Sequence, residues 1–239
     1  MPLVKSHKIE FQNVSFSDVK TNDNGGKSVY INYNKNKFMM QTPVMYMPYD
    51  MSVYDKGEYP KYSLELSFRD MDEDYRVKGF HENMEQLDEL LIEKGVENCM
   101  AWFKKKKTNK DVISALFNPV VKKSKDKETG EIDGRYPDSI RLKLPFRDGS
   151  PSFEIRDFDN NKITDREPSD LFVKGSRVQA ILRCGGVWIV GGKFGCTWTV
   201  EIVKVDAPAS VTNYSFINDD SDEESGDDSD NEVEDTDSE

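Results

Sequence analysis

Four consecutive lysines follow two aromatic residues near the middle of the chain, and no other pattern in the sequence is better suited to chemistry. The run begins directly after Trp102 and Phe103. Clustered ammonium groups neutralise phosphates, and a neighbouring aromatic ring can stack on an unpaired base. The alternative is a solvated helix end, where lysines complement the helix dipole. The residues predicted here to contact nucleic acid are Phe103, Lys104, Lys105, Lys106 and Lys107.

A second set of basic and aromatic residues lies in a glycine-rich segment closer to the carboxyl end. Such side chains on one sheet face make a stacking platform for single strands. Trp198 alternates with apolar residues, which favours a place in the core. Lys193 and Phe194 fall at an expected turn and are predicted on the surface, whereas Trp188 is left undecided. The candidate contacts are Arg183, Trp188, Lys193 and Phe194.

Other constellations argue against catalysis and metal binding. Residues 191–194 resemble a phosphate loop, but Val187 replaces the first glycine and an aromatic residue replaces the metal-binding Ser or Thr. The acidic run at 70–74 lacks the spacing of a calcium loop. His7 and His81 are far apart in sequence, and the three cysteines have no His partner at zinc-ligand spacing. The sequence therefore predicts a protein that is not an enzyme, with no catalytic residues, no metal site and no cofactor.

The negative charge of the chain is concentrated in residues 219–239. This tail holds thirteen of the 45 acidic residues and no Lys or Arg, so residues 1–218 carry 33 basic against 32 acidic side chains. A tethered polyanion beside a body with lysine clusters suggests an internal competitor for nucleic acid, and a simple solubility tail is the alternative. The tail residues predicted to act this way include Asp219, Asp220, Glu223, Glu224, Asp227 and Asp228.

Apolar periodicity places these residues on elements. Alternation predicts strands at 62–68 and 139–146, and residues 153–158 are the expected hairpin partner of the second. Helical spacing predicts an amphipathic helix at 82–94 and a short one at 111–117. Three β-rich runs at 177–183, 186–190 and 195–205 are separated by glycine pairs and predict a glycine-kinked meander.

This order of elements is typical of a five-strand Greek-key barrel with extra strands and one main helix, expected between the third and fourth barrel strands. We expect one mainly β domain at 1–218 and a disordered acidic tail at 219–239. The odd cysteine count, the missing apolar leader and the absence of any bilayer-length apolar stretch predict a soluble, intracellular, reduced protein without a membrane partner.

Three stretches carry a family resemblance. Residues 41–49, 62–69 and above all 185–198 resemble a protein family of nucleocytoplasmic large DNA viruses, which is similar to the acidic-tailed single-stranded DNA-binding proteins of podovirus-type phages. The resemblance implies an elaborated OB-fold that binds single-stranded DNA without strict sequence preference in viral DNA replication and recombination. Its place would be the replication sites in the host cytoplasm or nucleus.

The same resemblance implies a role for the tail, as an intramolecular DNA mimic that also docks on a viral DNA polymerase or helicase–primase. A homodimer is a further option. Phage tails end in an aromatic residue that helps docking, whereas this chain ends in Glu239. Competition with DNA does not depend on that aromatic residue, because it needs only the charge that is present. The rival hypothesis is an acidic-tailed chaperone or assembly factor that binds basic proteins through the tail.

Overall fold

The computed structural model describes residues 3–23, 25–106 and 108–208, in which strands predominate over helices. Lys107 and the predicted regulatory residues of the acidic tail lie outside the described residues, as does the expected domain boundary at 218. Within the described part of the chain, no helix combines the length and the apolar character needed to cross a lipid bilayer.

Short strands make up most of the chain before the long helix, together with two one-turn 3-10 segments at Ser6–Lys8 and Phe11–Asn13. The strands are β1 (Leu3–Lys5), β2 (Val14–Phe16), β3 (Lys20–Thr21), β4 (Lys27–Val29), β5 (Ile31–Tyr33), β6 (Asn36–Lys37), β7 (Met39–Gln41), β8 (Met45–Tyr46), β9 (Ser52–Tyr54) and β10 (Lys61–Ser67).

The helices follow β10, and the longest strands come last. The remaining elements are α1 (Tyr75–Glu97), α2 (Cys99–Phe103), α3 (Lys110–Leu116), β11 (Phe117–Asn118), β12 (Val121–Lys122), β13 (Ser139–Leu144), β14 (Phe146–Arg147), β15 (Ser150–Pro151), β16 (Glu154–Arg156), α4 (Pro168–Leu171), β17 (Arg177–Val190) and β18 (Lys193–Asp206).

Five strands close into a ring in the order β8, β10, β13, β18, β17 and back to β8. Only the β13–β18 pair is parallel. In chain order this is first, second, third, fifth, fourth, which is a Greek-key barrel, and the predicted OB-fold with extra strands is therefore confirmed. The pairs that define the ring are Tyr46 with Ser67, Leu64 with Leu142, Leu142 with Trp198, Cys184 with Trp198 and Met45 with Val178.

The main helix lies between the second and third ring strands, so its expected place after the third was wrong. Alternation identifies strands but not their partners. Several of the early strands pair outside the ring. Strand β4 pairs with β17, and β5 pairs with β2.

The core fills the ring and the space under α1. Alternate residues of the ring strands point inward, and Trp198, at 1% exposure, is a core residue as predicted. The helix contributes one apolar stripe, as its spacing predicted. Its buried apolar residues are Val77, Phe80, Met84, Leu87 and Leu91.

Helix α1 is longer than the predicted 82–94. It begins after Asp74, whose side chain accepts a hydrogen bond from the Arg76 backbone N–H and so caps the helix. The acidic run at 70–74 is the turn that leads into this cap. The short helix expected at 111–117 is α3, which begins after an Asn109 cap.

The glycine-kinked meander is a two-stranded hairpin, since its first two runs form the single bent strand β17. A bulge lies between Cys184 and Val187. Within it Gly186 has φ +82°, and a Cβ there would lie 2.4 Å from the Val29 carbonyl oxygen, so only glycine fits. The Gly191–Gly192 turn has positive φ at both residues, as a type I′ turn requires.

The hairpin expected between 139–146 and 153–158 is not formed. Strand β16 pairs in parallel with β18, with Ile155 beside Val203, and β14 pairs with β15 instead. The apolar alternation was real, but it contains no information about which neighbour a strand will take.

Candidate nucleic-acid interface

A groove of about 580 Å³ lies over the outer side of the first three ring strands. Glu65 and Ser67 line it, on the face of β10 opposite to the core residues Leu64 and Leu66. The loop after β8, the segment 122–139 and Lys174 form its sides. We name it the basic groove, after its cations Arg69, Lys122, Lys123, Lys125, Lys127 and Lys174.

Three tyrosines lie among these cations. Tyr49 and Tyr136 are 60% and 59% exposed, so their rings are open to a ligand. Tyr46 is covered by the Arg69 guanidinium, which lies 3.9 Å from the ring centroid in a cation–π contact. Exposed aromatic rings beside fixed positive charge are the two components of a single-strand binding surface.

The cations of the groove differ in how they are paired. Lys122 Nζ lies 2.8 Å from a Glu65 oxygen, and Lys123 Nζ lies 2.6 Å from a Glu85 oxygen. Among the described residues, no carboxylate pairs with the three remaining lysines. These unpaired lysines are Lys125, Lys127 and Lys174.

Glu65 organises the floor of the groove. Burial alone would raise the pKa of its carboxyl group, but side-chain hydrogen bonds from Lys122 and Arg141, and their charges, hold that pKa below its usual value. Both donors reach the same oxygen, Oε1, at 2.8 Å, and the Ser139 hydroxyl donates to the other. The ionised carboxylate therefore keeps two cations at the groove without neutralising its overall positive charge.

The lysine-bearing side of the groove is shaped by a compact loop. The Asp126 carboxylate accepts hydrogen bonds from the backbone N–H groups of Glu128 and Thr129, which closes a tight turn. The Ser124 hydroxyl donates to Asp133 across the base of this loop. These bonds hold Lys125 at the groove although it lies outside the barrel.

The predicted lysine run lies on a different surface. Lys104 ends α2 in the left-handed conformation, with φ +58°, and Lys104, Lys105 and Lys106 are exposed. Phe103 and Lys104 border a cavity of about 310 Å³ whose opposite side is the Gly191–Gly192 turn. Parts of the two predicted sets therefore meet near this cavity, and none of their described residues lines the basic groove.

Phe194 corrects a prediction, because its side chain is fully buried. The ring packs against Phe103, Phe117 and Trp102, with centroid distances of 5.2, 5.0 and 6.0 Å. Although Phe194 follows the turn directly, its position opposite Ile189 turns its side chain inward. Phe103 is half-buried in the same cluster, which leaves little ring area for stacking.

The other predicted contacts of the hairpin are scattered. Arg183 Nε lies 2.5 Å from Glu201 Oε1, and the residue stands opposite Met39 of β7. Trp188 is half-buried over Gly195, where a Cβ would lie 2.8 Å from the indole ring. Lys193 is exposed at the turn. The sheet thus separates Arg183 from the lysine run.

Comparisons with known proteins found distant similarities of fold. No family model matches the chain, and no curated protein does. The structure is similar to gp2.5, a single-stranded DNA-binding protein encoded by bacteriophage T7, at 14% identity and a TM-score of 0.41, over 80% of this chain and 97% of that one.

A second similar structure is the single-stranded DNA-binding protein of bacteriophage Enc34 in complex with single-stranded DNA, at 12% identity and a TM-score of 0.41. It covers 81% of this chain and 92% of that one. A C-terminally truncated form of the Enc34 protein has a TM-score of 0.38 at 12% identity, over 84% and 99% of the two chains. At such low similarity, the residues of the groove must decide what this protein binds.

Sequence reasoning missed the basic groove, although its signals were visible. The segment 45–54 is rich in Met and Tyr, and the loop 122–134 is rich in charge. Each segment alone is typical of a solvated loop. Only the pairing of β10 with β13 and of β8 with β10 brings them together.

A cluster of His81, Glu85 and Asp138 lies next to the groove and has the composition of a metal site. Asp138 Oδ2 lies 2.8 Å from His81 Nε2, whereas Glu85 Oε2 lies 3.6 Å from the other ring nitrogen. Each ring nitrogen therefore faces a different carboxylate, although one ligand atom from each of the three residues lies within 4.8 Å of the others. The geometry fits a hydrogen-bonded bridge between α1 and the segment that leads into β13.

Proposed function

We propose that this protein binds single-stranded DNA in the basic groove and does so without catalysing a reaction. The observation that carries the proposal is the set of two open tyrosine rings beside three lysines that have no carboxylate partner among the described residues. The lysines supply phosphate contacts that do not depend on sequence, and the tyrosines stack on whichever base is present.

The position of the groove within the ring supports this proposal. In OB-folds, oligonucleotides bind over the second and third strands and between the neighbouring loops. Here the groove lies over β10 and β13, and the loop after β8 contributes Tyr49. That loop continues to two further exposed rings, Tyr54 and Tyr59, at 53% and 71% exposure. A DNA single strand that continues beyond the groove would meet these two rings.

A single strand fits better than a duplex. Stacking on a tyrosine requires a base face that is not already covered by its neighbours. Bases in a duplex present only their edges in the grooves. The groove is therefore suited to unpaired DNA, and contacts made by stacking and by phosphate charge predict tolerance of sequence.

The acidic tail is proposed to compete for the same groove. The last described residue, Pro208, lies beside Gly175, where an added Cβ would be 3.8 Å from Pro208 Cγ, and the adjacent Lys174 lines the groove. The 31 residues that follow could span up to roughly 100 Å if extended. Since the tail is joined to Pro208 through residues 209–218, it needs only its charge to oppose DNA.

The wider biological role is a proposal that rests on the sequence resemblance. It comprises membership of the large-DNA-virus family, action in viral replication and recombination, and docking of the tail on a viral polymerase or helicase–primase. A homodimer and the host compartment belong to the same proposal.

Two charge-reversal variants test which surface binds DNA. The first replaces Lys125, Lys127 and Lys174 with Glu, and the second makes the same replacement at Lys104, Lys105 and Lys106. Both change the net charge equally. Binding of a fluorescent oligo-dT is measured by anisotropy over a salt series, with duplex DNA for comparison.

We expect the groove variant to bind more weakly, with a log–log salt slope shallower by about 0.7 for each phosphate that is no longer neutralised. The lysine-run variant should show a smaller change in its affinity for oligo-dT and in its salt slope. Equal effects of the two variants would contradict the groove as the principal site. Failure of the unmodified chain to bind oligo-dT, with binding of histones through the tail, would favour the chaperone hypothesis.

A further inference from the structure

A second cavity, the α1 pocket, adjoins the basic groove. Its volume is about 530 Å³, within the range of roughly 300–1,000 Å³ that is typical of ligand sites. One wall is the face of α1 that carries Glu85, Asp88, Glu89 and Ile92, and the other is formed by residues 117–125 and Ile132. Lys122, Lys123 and Lys125 line both the pocket and the groove.

Both walls contribute apolar side chains. Ile92 comes from α1, Phe117, Val121 and Ile132 come from the opposite wall, and Ile132 is 63% exposed. Apolar side chains on two sides suit the faces of an aromatic ring system. The shared lysines place the opening next to the expected path of phosphates.

Asp88 is the buried polar group of the pocket. Its carboxyl oxygens accept hydrogen bonds from the backbone N–H groups of Val120, at 3.0 Å, and Val121, at 3.2 Å. No cation forms an ion pair with it among the described residues. Burial raises the pKa of the Asp88 carboxyl group to about 7, although these two hydrogen bonds lower it. Each oxygen can still accept a further donor.

The charges decide which part of a nucleotide can enter. The Asp88 carboxylate on the α1 wall would repel a phosphate, since Glu85 and Glu89 already pair with Lys123 and Lys110, whereas Lys125 at the mouth attracts one. A backbone held at Lys125 therefore stays at the mouth. The neutral base attached to it is the part that the pocket can accept.

We propose that the α1 pocket binds one base of the single strand and selects bases with an exocyclic amino group, as adenine and cytosine have. The amino group would donate a hydrogen bond to Asp88 while Ile92 and Phe117 contact the ring. Thymine has no amino group, and its one base donor, N3–H, lies between the O2 and O4 oxygens, which a carboxylate repels. This inference rests on the proposed binding of single-stranded DNA in the groove.

The test compares oligo-dC with oligo-dT of equal length, at one salt concentration and at pH 8, where Asp88 is ionised. Both bases are pyrimidines, so the comparison keeps the ring size constant while the amino group, the N3 position and the thymine methyl group change. Since a hydrogen bond to a charged group changes affinity by about tenfold or more, we expect the full chain to bind oligo-dC about tenfold more tightly.

The variant Ile92→Trp fills the pocket, and Gln86→Trp is its matched control because Gln86 is exposed on α1 and lines neither cavity. We expect Ile92→Trp to bind the two oligonucleotides equally, at the affinity that the unmodified chain has for oligo-dT. Gln86→Trp should keep the tenfold preference. Thermal unfolding of both variants verifies that they fold.

A second variant, Asp88→Asn, keeps the shape of the side chain but replaces one acceptor oxygen with an N–H₂ donor and removes the charge, so it should reduce the preference for oligo-dC. An unmodified chain that binds both oligonucleotides equally would overturn the pocket and leave the groove intact. So would a preference that survives Ile92→Trp. If the unmodified chain binds neither oligonucleotide, the proposed function fails and the pocket loses its ligand.

Discussion

The cations of the basic groove fall into two kinds at the scale of single residues. Lys122 and Lys123 are held by Glu65 and Glu85, so a phosphate must compete with a carboxylate for each. Lys125, Lys127 and Lys174 carry no such cost among the described residues. We therefore expect most of the salt dependence of binding to come from the second kind, whereas the first kind mainly fixes the shape of the groove.

The exposed tyrosines make a prediction of their own. Tyr49→Ala and Tyr136→Ala should each weaken the binding of oligo-dT by about 1–3 kcal/mol, because each removes one stacking surface for a base. Their salt slopes should not change, since no charge is removed. The control is Tyr75→Ala, which removes a ring that is 74% exposed and lies outside the groove. Anisotropy titrations at two salt concentrations would show both effects.

Asp88 predicts how stability depends on pH. Its pKa is raised from 3.8 to about 7 in the folded protein, chiefly by burial, so the folded state binds the proton more tightly than the unfolded state. This contribution is fully present below about pH 4 and is lost as the pH rises towards 7. The amide side chain of the variant Asp88→Asn cannot ionise, so the variant does not lose stability in this way as the pH rises. Glu85 and Lys123, which also face Asp88, act in opposite directions on its pKa.

Urea unfolding at pH 5, 6, 7 and 8 measures this difference. The free energy of unfolding of Asp88→Asn, relative to the unmodified chain, should increase with pH by up to about 4 kcal/mol over the full titration. Glu82→Gln, which changes an exposed carboxyl on the same helix, should show a constant difference. Parallel curves for Asp88→Asn would show that Asp88 titrates normally.

At the scale of elements, the bulge in β17 depends on a single glycine. Gly186→Ala would place a Cβ against the Val29 carbonyl oxygen at positive φ, so we expect a loss of about 2–5 kcal/mol of unfolding free energy. Gly192→Ala has similar φ but open space around it and should lose about 1–2 kcal/mol. Thermal or urea unfolding compares the two, and equal losses would mean that the contact at Val29 relaxes freely.

Elements with a strong local period could be predicted from the sequence. The stripe of α1, the alternation of β10 and β13 and the glycines of the last hairpin were all visible. The beginning of α1 was harder to predict, because the Asp74 cap lies before the first apolar residue of the stripe. Strand partners could not be predicted, and β16 pairs in parallel with a strand some 48 residues away.

The basic groove has the same combination of lysine and aromatic residues that the sequence predicts for a binding site. The contiguous run at 102–107 is the most visible example of that combination in the sequence. In the structure Trp102 lies in the core and Phe103 is half-buried, because a helix turns successive residues to different faces. The groove collects its tyrosines and lysines from separate segments, which only the closed ring brings together.

At the scale of the whole molecule, the tail should lower the affinity for DNA. A tethered segment has an effective concentration near the millimolar range, so a tail that binds the groove with a Kd of about 0.1 mM would weaken DNA binding roughly tenfold. Removal of residues 219–239 should therefore strengthen binding at low salt. The difference should shrink as salt rises, because both contacts are electrostatic.

A chain of full length with the acidic residues of 219–239 changed to Asn and Gln separates charge from length. It should bind oligo-dT as tightly as the truncated chain. If the neutral tail still weakens binding, the tail acts by excluded volume and not as a mimic of DNA. Anisotropy across the same salt series serves all three proteins.

The pairing of β17 with β4, β7 and β8 has a consequence for synthesis on the ribosome. These three strands find this partner only in the segment 177–189, well over a hundred residues later. The barrel therefore cannot close until almost all of the described chain has emerged, and the strand edges that pair with β17 stay uncovered during that time. Nascent chains that stop before residue 177 should be sensitive to proteases and bind chaperones, and chains that extend past 206 should not.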